Sequence, residues 1–279
     1  MSTSHNGSLA FFYIFISIFR LRLAMAVAFI QGASRGIGLE FARALSARGN
    51  VRVVAGCRDP DNAVDLHQLE NVTPMKCDVT KESDLKSVSS DILTGFGKLD
   101  FAINVSGILH PSGRGETRLQ DVTMEALHET FLVNTFGPLL MAKHIGPLLQ
   151  KGDGLIGTQS AKARNSHSGV LAHISARVGS ISDNRLGGWY GYRMSKSALN
   201  MANKNLSLEF SKGKTKLVCL LLHPGTTDTD LSRPYHKGVP KDKLFSTKYS
   251  VMKMMEIIDS ASIEDSGRYI AWDGTDIPF

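Results

Sequence analysis

The segment Gln31-Gly32-Ala33-Ser34-Arg35-Gly36-Ile37-Gly38 decides the fold, because it joins an apolar run, Ala26–Gln31, to an amphipathic one, Ile37–Arg48. Glycines at a strand-to-helix turn let the backbone come close to a bound pyrophosphate. The following helix presents free N–H groups and a partial positive charge to that group. The segment therefore predicts a dinucleotide site, whose contacts we expect at Gly32, Ser34, Arg35, Gly36, Ile37 and Gly38.

Downstream of this turn, short apolar runs alternate with longer amphipathic ones, the pattern of a parallel sheet covered by helices on both faces. We expect one α/β domain over residues 25–279, a Rossmann-type, doubly wound parallel sheet. The strands are predicted at Ala26–Gln31, Val51–Ala55, Thr73–Cys77, Phe101–Val105, Val170–Ser175, Lys216–Leu222 and Arg268–Ala271. The helices are predicted at Ile37–Arg48, Glu82–Leu93, Met124–Leu149, Tyr190–Phe210 and Val251–Ile258.

Two features interrupt this pattern. The pairs Gly137-Pro138 and Gly146-Pro147 predict a kink or break in the helix Met124–Leu149, because proline lacks the N–H and clashes with the preceding turn. The stretch Lys151–Ser168 is rich in Gly, Ser, Lys and Arg, which predicts a long surface loop inside the domain.

The composition excludes several classes of protein. With 42% hydrophobic and 21% charged residues over 279 positions, the chain is neither disordered nor a disulfide scaffold. Its three cysteines, Cys57, Cys77 and Cys219, lie far apart, which predicts reduced thiols and no metal site. The net charge of +6 is spread along the chain without a basic stripe or a recognition motif, so we expect no nucleic-acid partner.

Residues 1–24 differ from the rest, because they contain no Asp or Glu and hold the apolar run Leu9–Phe19. That run is about half the ~20 residues that cross a bilayer, and no basic segment precedes it. Three interpretations stay open: an organellar presequence, a membrane-surface anchor, or a non-native extension upstream of a start at Met25. We favour the extension because Met25 directly precedes the first strand, and expect a cytoplasmic protein, or a plastid or mitochondrial one if residues 1–24 are a presequence.

The end of the second strand indicates which nicotinamide dinucleotide is preferred. An acid there binds the ribose 2′-hydroxyl, whereas an arginine binds a 2′-phosphate. Arg58 follows that strand, and Arg35 lies in the glycine turn, so two guanidinium groups can clamp a phosphate. We expect NADP(H) to be preferred, with NAD(H) possible through Asp59.

A second motif, Tyr192-Arg193-Met194-Ser195-Lys196, lies near the start of a predicted helix. Residues four apart share a helix face, so the Lys196 ammonium can favour the anion of the Tyr192 phenol. Such a tyrosine exchanges protons with a substrate. Tyr190 has Met194 four residues on and therefore lacks this partner.

At this point the chain resembles the short-chain dehydrogenase/reductase family, particularly its carbonyl-reductase subgroup with the sniffer and C-factor proteins. The resemblance also rests on Cys77-Asp78-Val79-Thr80, Asn104-Val105-Ser106-Gly107, Asn134 and Pro224-Gly225. It implies hydride transfer between a nicotinamide and a carbonyl or alcohol, and a homo-oligomer. The implied catalytic residues are Tyr192 as general acid, Lys196 as its partner and Asn134 as the holder of a relay water. The implied cofactor contacts add Asp78, Val79, Asn104, Gly107, Tyr192, Lys196, Pro224, Gly225 and Thr229 to Arg58 and the glycine turn.

One position departs from the family pattern. Alignment on Ile174 and Gly179 places Ala176 where members carry the serine that polarises the carbonyl. Ser175 replaces it through a bend at the strand end, or Ser180 reaches in from the loop, or the donor is absent and turnover is poor. We place Ser175 first; the third alternative favours a cofactor-binding regulatory protein.

The substrate leaves only a faint signal. The spans 179–189 and 231–246 follow the carboxyl ends of two strands, where ligands of parallel sheets bind. Trp189 and Tyr235 in these spans favour a small apolar or flat carbonyl compound, although Trp189 also fits plain packing.

Overall fold

The structure, a computed structural model, describes residues 25–157 and 167–279. At its centre, strand β1 (Ala26–Gln31) is buried along its whole length, because it pairs on both edges and lies between two apolar layers. The other strands of this sheet are β2 (Val51–Cys57), β3 (Val72–Lys76), β4 (Phe101–Asn104), β5 (Gly169–Ile174), β6 (Leu217–His223) and β9 (Tyr269–Ala271). Two short strands, β7 (Thr226–Thr227) and β8 (Leu244–Phe245), pair separately.

All seven strands of the main sheet run parallel, in the order β3-β2-β1-β4-β5-β6-β9. The order reverses direction at β1, which is the mark of a doubly wound sheet. The predicted fold class is confirmed, and the predicted strands match the observed ones to within two residues at each end.

Helices cover both faces of the sheet. They are α1 (Gly36–Ser46), α2 (Val64–His67), α3 (Glu82–Phe96), α4 (Met124–Phe131), α5 (Gly137–Leu149), α6 (Tyr190–Phe210) and α7 (Thr247–Ser260). On one face, α1 and α7 bury leucine, phenylalanine and methionine side chains against the even-numbered positions of β1. On the other face, α3 and α5 form a second apolar cluster with Val27 and Phe29. Among the described residues, no helix has the length and apolarity that crossing a membrane requires.

The predicted helix Met124–Leu149 is broken once. A π-helical turn, Leu132–Phe136, separates α4 from α5 directly before Gly137-Pro138, as expected of the first Gly-Pro pair. The second pair causes no break, and α5 continues through it to Leu149. Pro147 lies two residues before the end of α5, so its missing N–H removes one helical hydrogen bond close to the terminus. A Cβ on Gly146 would lie 2.6 Å from Phe210 Cζ, so a larger residue there would displace that ring.

The amino-terminal edge of the sheet is fastened by one buried carboxylate, Asp100, which directly precedes β4. Its Oδ2 accepts hydrogen bonds from Val27 N–H (3.0 Å) and Lys98 Nζ (2.9 Å). Its Oδ1 accepts from the N–H groups of Asp153 (2.9 Å) and Leu155 (3.4 Å). Asp100 thus ties the start of the loop predicted at Lys151–Ser168 to the sheet. Residues 158–166 of that loop, like residues 1–24, lie outside the described residues.

Candidate active site

The glycine turn between β1 and α1 is a tight cradle. Gly32 (φ +86°) and Gly36 (φ +55°) adopt left-handed backbone conformations, and a Cβ on Gly38 would lie 2.1 Å from Gly32 O. The N–H groups of Gly32 and Ala33 donate to Gly56 O at 2.8 and 3.0 Å, which anchors the turn on β2. No side chain caps the start of α1, so its first N–H groups stay free for an anion. The cradle therefore fits a dinucleotide pyrophosphate.

The segment after β6 meets this turn from the opposite side. A Cβ on Gly36 would lie 3.5 Å from Thr229 Cγ2, and Arg35 Nη1 lies 3.2 Å from Asp230 Oδ2. Gly225, with φ +75°, allows the chain after β6 to turn toward this contact. Residues that sequence reasoning assigned to the cofactor from both halves of the chain are therefore neighbours here.

At the ends of β2 and β3, the two aspartates accept hydrogen bonds from neighbouring residues, whereas the arginine forms no ion pair among the described residues. Asp59 holds Asn62 through Nδ2 (2.8 Å) and N–H (3.3 Å), whereas Arg58 has no ion-pair partner among the described residues. Asp78 Oδ1 accepts from Thr80 N–H (3.0 Å) and Oγ1 (2.8 Å), which fixes the turn after β3. Arg35 pairs with Asp230, and Arg58 has no ion pair in residues 25–157 and 167–279, so the two arginines do not meet in the expected clamp.

Tyr192 and Lys196 lie on the first turns of α6, with 8% and 3% of their surfaces exposed. Lys196 Nζ lies 5.8 Å from the centre of the Tyr192 ring and donates to Ile174 O at 2.9 Å. Burial raises the pKa of the Tyr192 phenol, because the anion loses solvation. Burial lowers the pKa of Lys196 from 10.5 to about 8. The phenol is therefore protonated at neutral pH in this arrangement.

Asn134 comes from the π-helical turn, a distortion that frequently marks functional sites. Its Oδ1 accepts from Ile108 N–H (2.9 Å), and its Nδ2 donates to Ile108 O (2.8 Å) and Ser195 Oγ (3.0 Å). Ser195 Oγ in turn donates to Tyr192 O at 2.8 Å. Asn134 thus links the segment after β4 to the backbone of the Tyr192 turn.

The segment Asn104–Gly107 connects the cradle with the buried lysine. A Cβ on Gly32 would lie 2.8 Å from Ser106 Oγ, and a Cβ on Gly107 would lie 3.4 Å from Asn134 Oδ1 and 3.5 Å from Lys196 Nζ. Asn104 is fully buried, and its Nδ2 donates to Ser106 O at 3.3 Å. The glycine turn, Asn134 and Lys196 therefore border one cleft at the carboxyl end of the sheet.

The hydroxyl groups of the two serines near Ala176 are hydrogen-bonded within the protein. Ser175 is buried, and its Oγ donates to Asn200 Oδ1 at 2.7 Å. Ser180 Oγ accepts from Asp183 N–H at 3.1 Å. The Tyr269 hydroxyl donates to Ala176 O, which fixes the backbone at the position where the family carries its serine.

An aromatic cluster of Tyr192, Trp189 and Tyr235 stands beside the phenol. The Trp189 ring lies 4.8 Å from that of Tyr235 and 6.2 Å from that of Tyr192, in both cases edge to face. Tyr235 Oη accepts from Gly115 N–H at 3.1 Å, which ties the segment after β6 to the loop after β4. Sequence reasoning placed Trp189 and Tyr235 on the cleft walls, and the structure brings them together.

Sequence reasoning missed Glu116, which is buried beside the start of α6. Its Oε1 accepts from Gly191 N–H (3.1 Å), and its O accepts from Trp189 N–H (2.6 Å). A lone glutamate in a loop carries no spacing signal, because its partners lie far along the chain. Among the described residues, no group of three His, Cys, Asp or Glu side chains is arranged to hold a metal ion.

Comparison with known proteins gives three informative matches besides a family. The family model for short chain dehydrogenase matches residues 26–239. The NADPH-bound carbonyl reductase from chicken fatty liver is 28% identical, with 92% of this chain and 100% of that chain covered and a TM-score of 0.77. Carbonyl reductase Sniffer of D. melanogaster is 26% identical, with coverages of 91% and 100% and a TM-score of 0.78. C-signal of Myxococcus xanthus is 33% identical over 70% of this chain and its own full length.

Proposed function

This chain belongs to the short-chain dehydrogenase/reductase family and is an oxidoreductase, and we propose that it transfers hydride between NADP(H) and a carbonyl or alcohol group. The observation that carries the proposal is the cleft in which Tyr192, Lys196 and Asn134 border the glycine cradle. The predicted resemblance to sniffer and C-factor proteins is confirmed by the matches to Sniffer and C-signal.

NADP(H) is the cofactor that the charges support best. The cradle of Gly32, Gly36 and Gly38 would hold the pyrophosphate, and Arg58 would meet the 2′-phosphate together with Arg35. Asp59, the group that would favour NAD(H), is engaged by Asn62. A relative at 28% identity was crystallised with NADPH bound. NAD(H) is the second candidate.

The remaining contacts would surround the two ends of the cofactor. Asp78 and Val79 would meet the adenine, whereas Asn104 and Gly107 would line the cleft toward the nicotinamide. Thr229, with Pro224 and Gly225 shaping its loop, would approach the carboxamide; its methyl group already faces Gly36. Ser34 and Ile37 would support the phosphates from within the turn.

Tyr192 is the proton donor of the proposed mechanism. When bound, the nicotinamide supplies a hydride to the carbonyl carbon in reduction and accepts one in oxidation. Because burial raises its pKa, Tyr192 holds the proton that the carbonyl oxygen needs in reduction. The Lys196 ammonium stabilises the phenolate left behind, and the second lone pair of Asn134 Oδ1 offers a place for a relay water.

Ser175 is our first candidate for polarising the carbonyl, with Ser180 second. In this role its hydroxyl turns from Asn200 toward the substrate, because it has only one proton to donate. If neither serine acts, Tyr192 alone hydrogen-bonds the carbonyl oxygen and turnover is slow.

The test is NADPH oxidation with a panel of aldehydes, ketones and quinones. We expect Tyr192→Phe to lose about 10²–10⁴-fold in kcat while NADPH binding persists, because only the proton donor is removed. Tyr190→Phe is the matched control, since Tyr190 lies on the same helix turn without a lysine four residues on. Equal activity of Tyr192→Phe and wild type would contradict the proposed chemistry.

A regulatory protein with little turnover is the second candidate. It is favoured by Ala176 at the serine position and by the 33% identity to C-signal. Tight NADPH binding without turnover, combined with no effect of Tyr192→Phe, would support it over the enzyme.

Our remaining proposals concern the setting of the protein. We propose that the chain binds a small-molecule carbonyl or alcohol substrate and no nucleic acid. It would contact a membrane only through residues 1–24. We also propose that it forms a homo-oligomer. Cytoplasmic location is proposed, or a plastid or mitochondrion if residues 1–24 are a presequence. Residues 25–279 form the catalytic domain in this proposal. N-terminal sequencing and light scattering of the native protein test the start and the oligomer; an intact Met1 on membrane-associated protein would overturn a start at Met25.

A further inference from the structure

The helix that carries Tyr192 has no cap of its own. Its capping position is Trp189, whose side chain makes no capping hydrogen bond, and its first turn holds no acidic residue. The first N–H groups of a helix need acceptors, and a negative charge there is stabilising. Trp189 also adopts a left-handed conformation (φ 49°, ψ 47°), which is rare for a bulky residue and costs energy.

Glu116 supplies both missing acceptors from the loop after β4. Its side-chain Oε1 accepts from Gly191 N–H at 3.1 Å, and its backbone O accepts from Trp189 N–H at 2.6 Å. These two bonds hold the residues on either side of Tyr190 and end one residue before Tyr192. A side chain 75 positions earlier therefore caps α6.

Glu116 is 4% exposed, which is unusual for a glutamate that forms no ion pair among the described residues. Among the described residues, its Oε2 and the buried Thr130 hydroxyl on α4 have no hydrogen-bond partner. The Glu116 carboxylate and the Thr130 hydroxyl flank Gly191, since a Cβ there would lie 2.9 Å from Glu116 Oε1 and 3.7 Å from Thr130 Oγ1. Burying a carboxyl group is costly unless its oxygens are hydrogen-bonded, and the Gly191 N–H at the start of α6 supplies the bond that Oε1 accepts.

The loop that carries Glu116 and the start of α6 pack closely because glycines lie at their contact. A Cβ on Gly115 would lie 2.6 Å from Trp189 Cδ1, and a Cβ on Gly191 would strike the Glu116 carboxylate. The Trp189 ring in turn lies 6.2 Å from the Tyr192 ring. The positions of the carboxylate, the indole and the phenol are therefore linked through direct contacts.

We propose that Glu116 is a positioning residue for catalysis: by capping α6 it sets the depth of the Tyr192 phenol and the angle of the Trp189 ring at the cleft. The role rests on the proposed function, because it acts through the proton donor. This positioning role requires a side chain as long as that of glutamate, because a shorter one cannot reach Gly191 N–H. An uncharged oxygen at the same place preserves the role in part.

Three variants separate reach from charge. Glu116→Gln keeps an oxygen at the same distance, Glu116→Asp keeps the charge but falls short of Gly191, and Glu116→Ala removes the acceptor. We expect kcat to fall least in Glu116→Gln and most in Glu116→Ala, by about 10²-fold, because a displacement of about 1 Å costs that much. The KM for NADPH stays unchanged. Glu129→Gln, an exposed position on α4, is the control for the loss of one charge.

The variants are read with a second measurement that needs no turnover. The chain has two tryptophans, so Trp272→Phe leaves Trp189 as the sole source of indole fluorescence. In that background we expect a red shift of the emission in Glu116→Asp and Glu116→Ala and none in Glu116→Gln. If Glu116→Ala does not fold, the comparison of kcat and Trp189 emission between Glu116→Gln and Glu116→Asp still tests the inference.

Two results would overturn the inference. One is a kcat and a Trp189 emission of Glu116→Asp that equal those of wild type. The other is Glu116→Asp outperforming Glu116→Gln, since charge and not reach would then be the cause. Should wild type itself reduce nothing in the panel, the proposed function fails, whereas the Trp189 emission still tests whether Glu116 holds this turn.

Discussion

Lys196→Met tests the energetics of the site directly, since this substitution replaces a buried ammonium with an apolar chain of similar length. In the folded protein, burial lowers the pKa of Lys196 from 10.5 to about 8. At about 1.4 kcal/mol per pH unit, this corresponds to about 3 kcal/mol against the charged form. The protein therefore gives up stability to keep a cation beside Tyr192.

The sign follows from proton binding. Below about pH 8 both states carry the Lys196 proton, and the full cost is present. Between about 8 and 10.5 the unfolded chain binds more protons than the folded one, so the stability of wild type rises with pH. The stability of Lys196→Met relative to wild type should therefore decrease by about 3 kcal/mol across this window. The hydrogen bond to Ile174 O is lost in Lys196→Met at every pH, so it lowers the stability of the variant by the same amount at both ends of the pH window and does not affect the change.

Urea unfolding at several pH values, followed by circular dichroism, measures this difference. The matched control is Lys204→Met, an exposed lysine on the same helix, for which we expect a constant difference from wild type. Lys196→Met should also lose reductase activity. A stability difference for Lys196→Met that stays constant from about pH 7 to about pH 10 would refute the reasoning, because the ammonium would then carry no burial cost.

Further outcomes follow from the charges and the buried groups. Arg58→Asp should raise the KM for NADPH by about 10-fold or more and leave that for NADH unchanged, because one charge-assisted bond is lost; an unaltered preference would remove Arg58 from the cofactor site. Whichever of Ser175→Ala and Ser180→Ala removes the carbonyl donor should lose about 10²–10³-fold in kcat, and a loss below about tenfold in both would exclude serine from the mechanism. Asp100→Ala should lower the free energy of unfolding in urea by about 3 kcal/mol or more, since three N–H groups and Lys98 lose their acceptor; near-wild-type stability would contradict its fastening role.

The parts of the site that sequence reasoning located are local in the chain. The glycine turn lies within eight consecutive residues, and Tyr192 and Lys196 are one helix turn apart. Their geometry follows from backbone sterics and helix periodicity, which a short stretch of sequence determines. The doubly wound sheet was predictable for the same reason, because the spacing of apolar residues within each segment indicates whether that segment is a strand or a helix.

The parts that escaped depend on distant partners. Gly137-Pro138 indicated a break in the helix. It did not indicate that the break would be a π-helical turn, or that this turn would bring Asn134 into hydrogen-bond distance of Ile108. Ser175 was placed first because a bend at the strand end can re-aim its side chain, yet its proton goes to Asn200, 25 residues away. Glu116 caps a helix 75 residues downstream. Such contacts arise only when the sheet brings separate loops together, so no local pattern encodes them.

Asp100 lies at the amino-terminal edge of the sheet and the proposed catalytic cleft at its carboxyl edge, and this separation has a practical consequence for engineering. Directed changes around Lys98 and Asp153 can adjust how long the protein survives heat or solvent without moving any group that would touch cofactor. Under the proposed function, changes around Trp189 and Tyr235 would alter the range of compounds accepted, and stabilising changes around Asp100 could offset any stability that they cost. A library for this chain is therefore best built as two independent sets, screened apart and combined afterwards, because effects at sites this distant add.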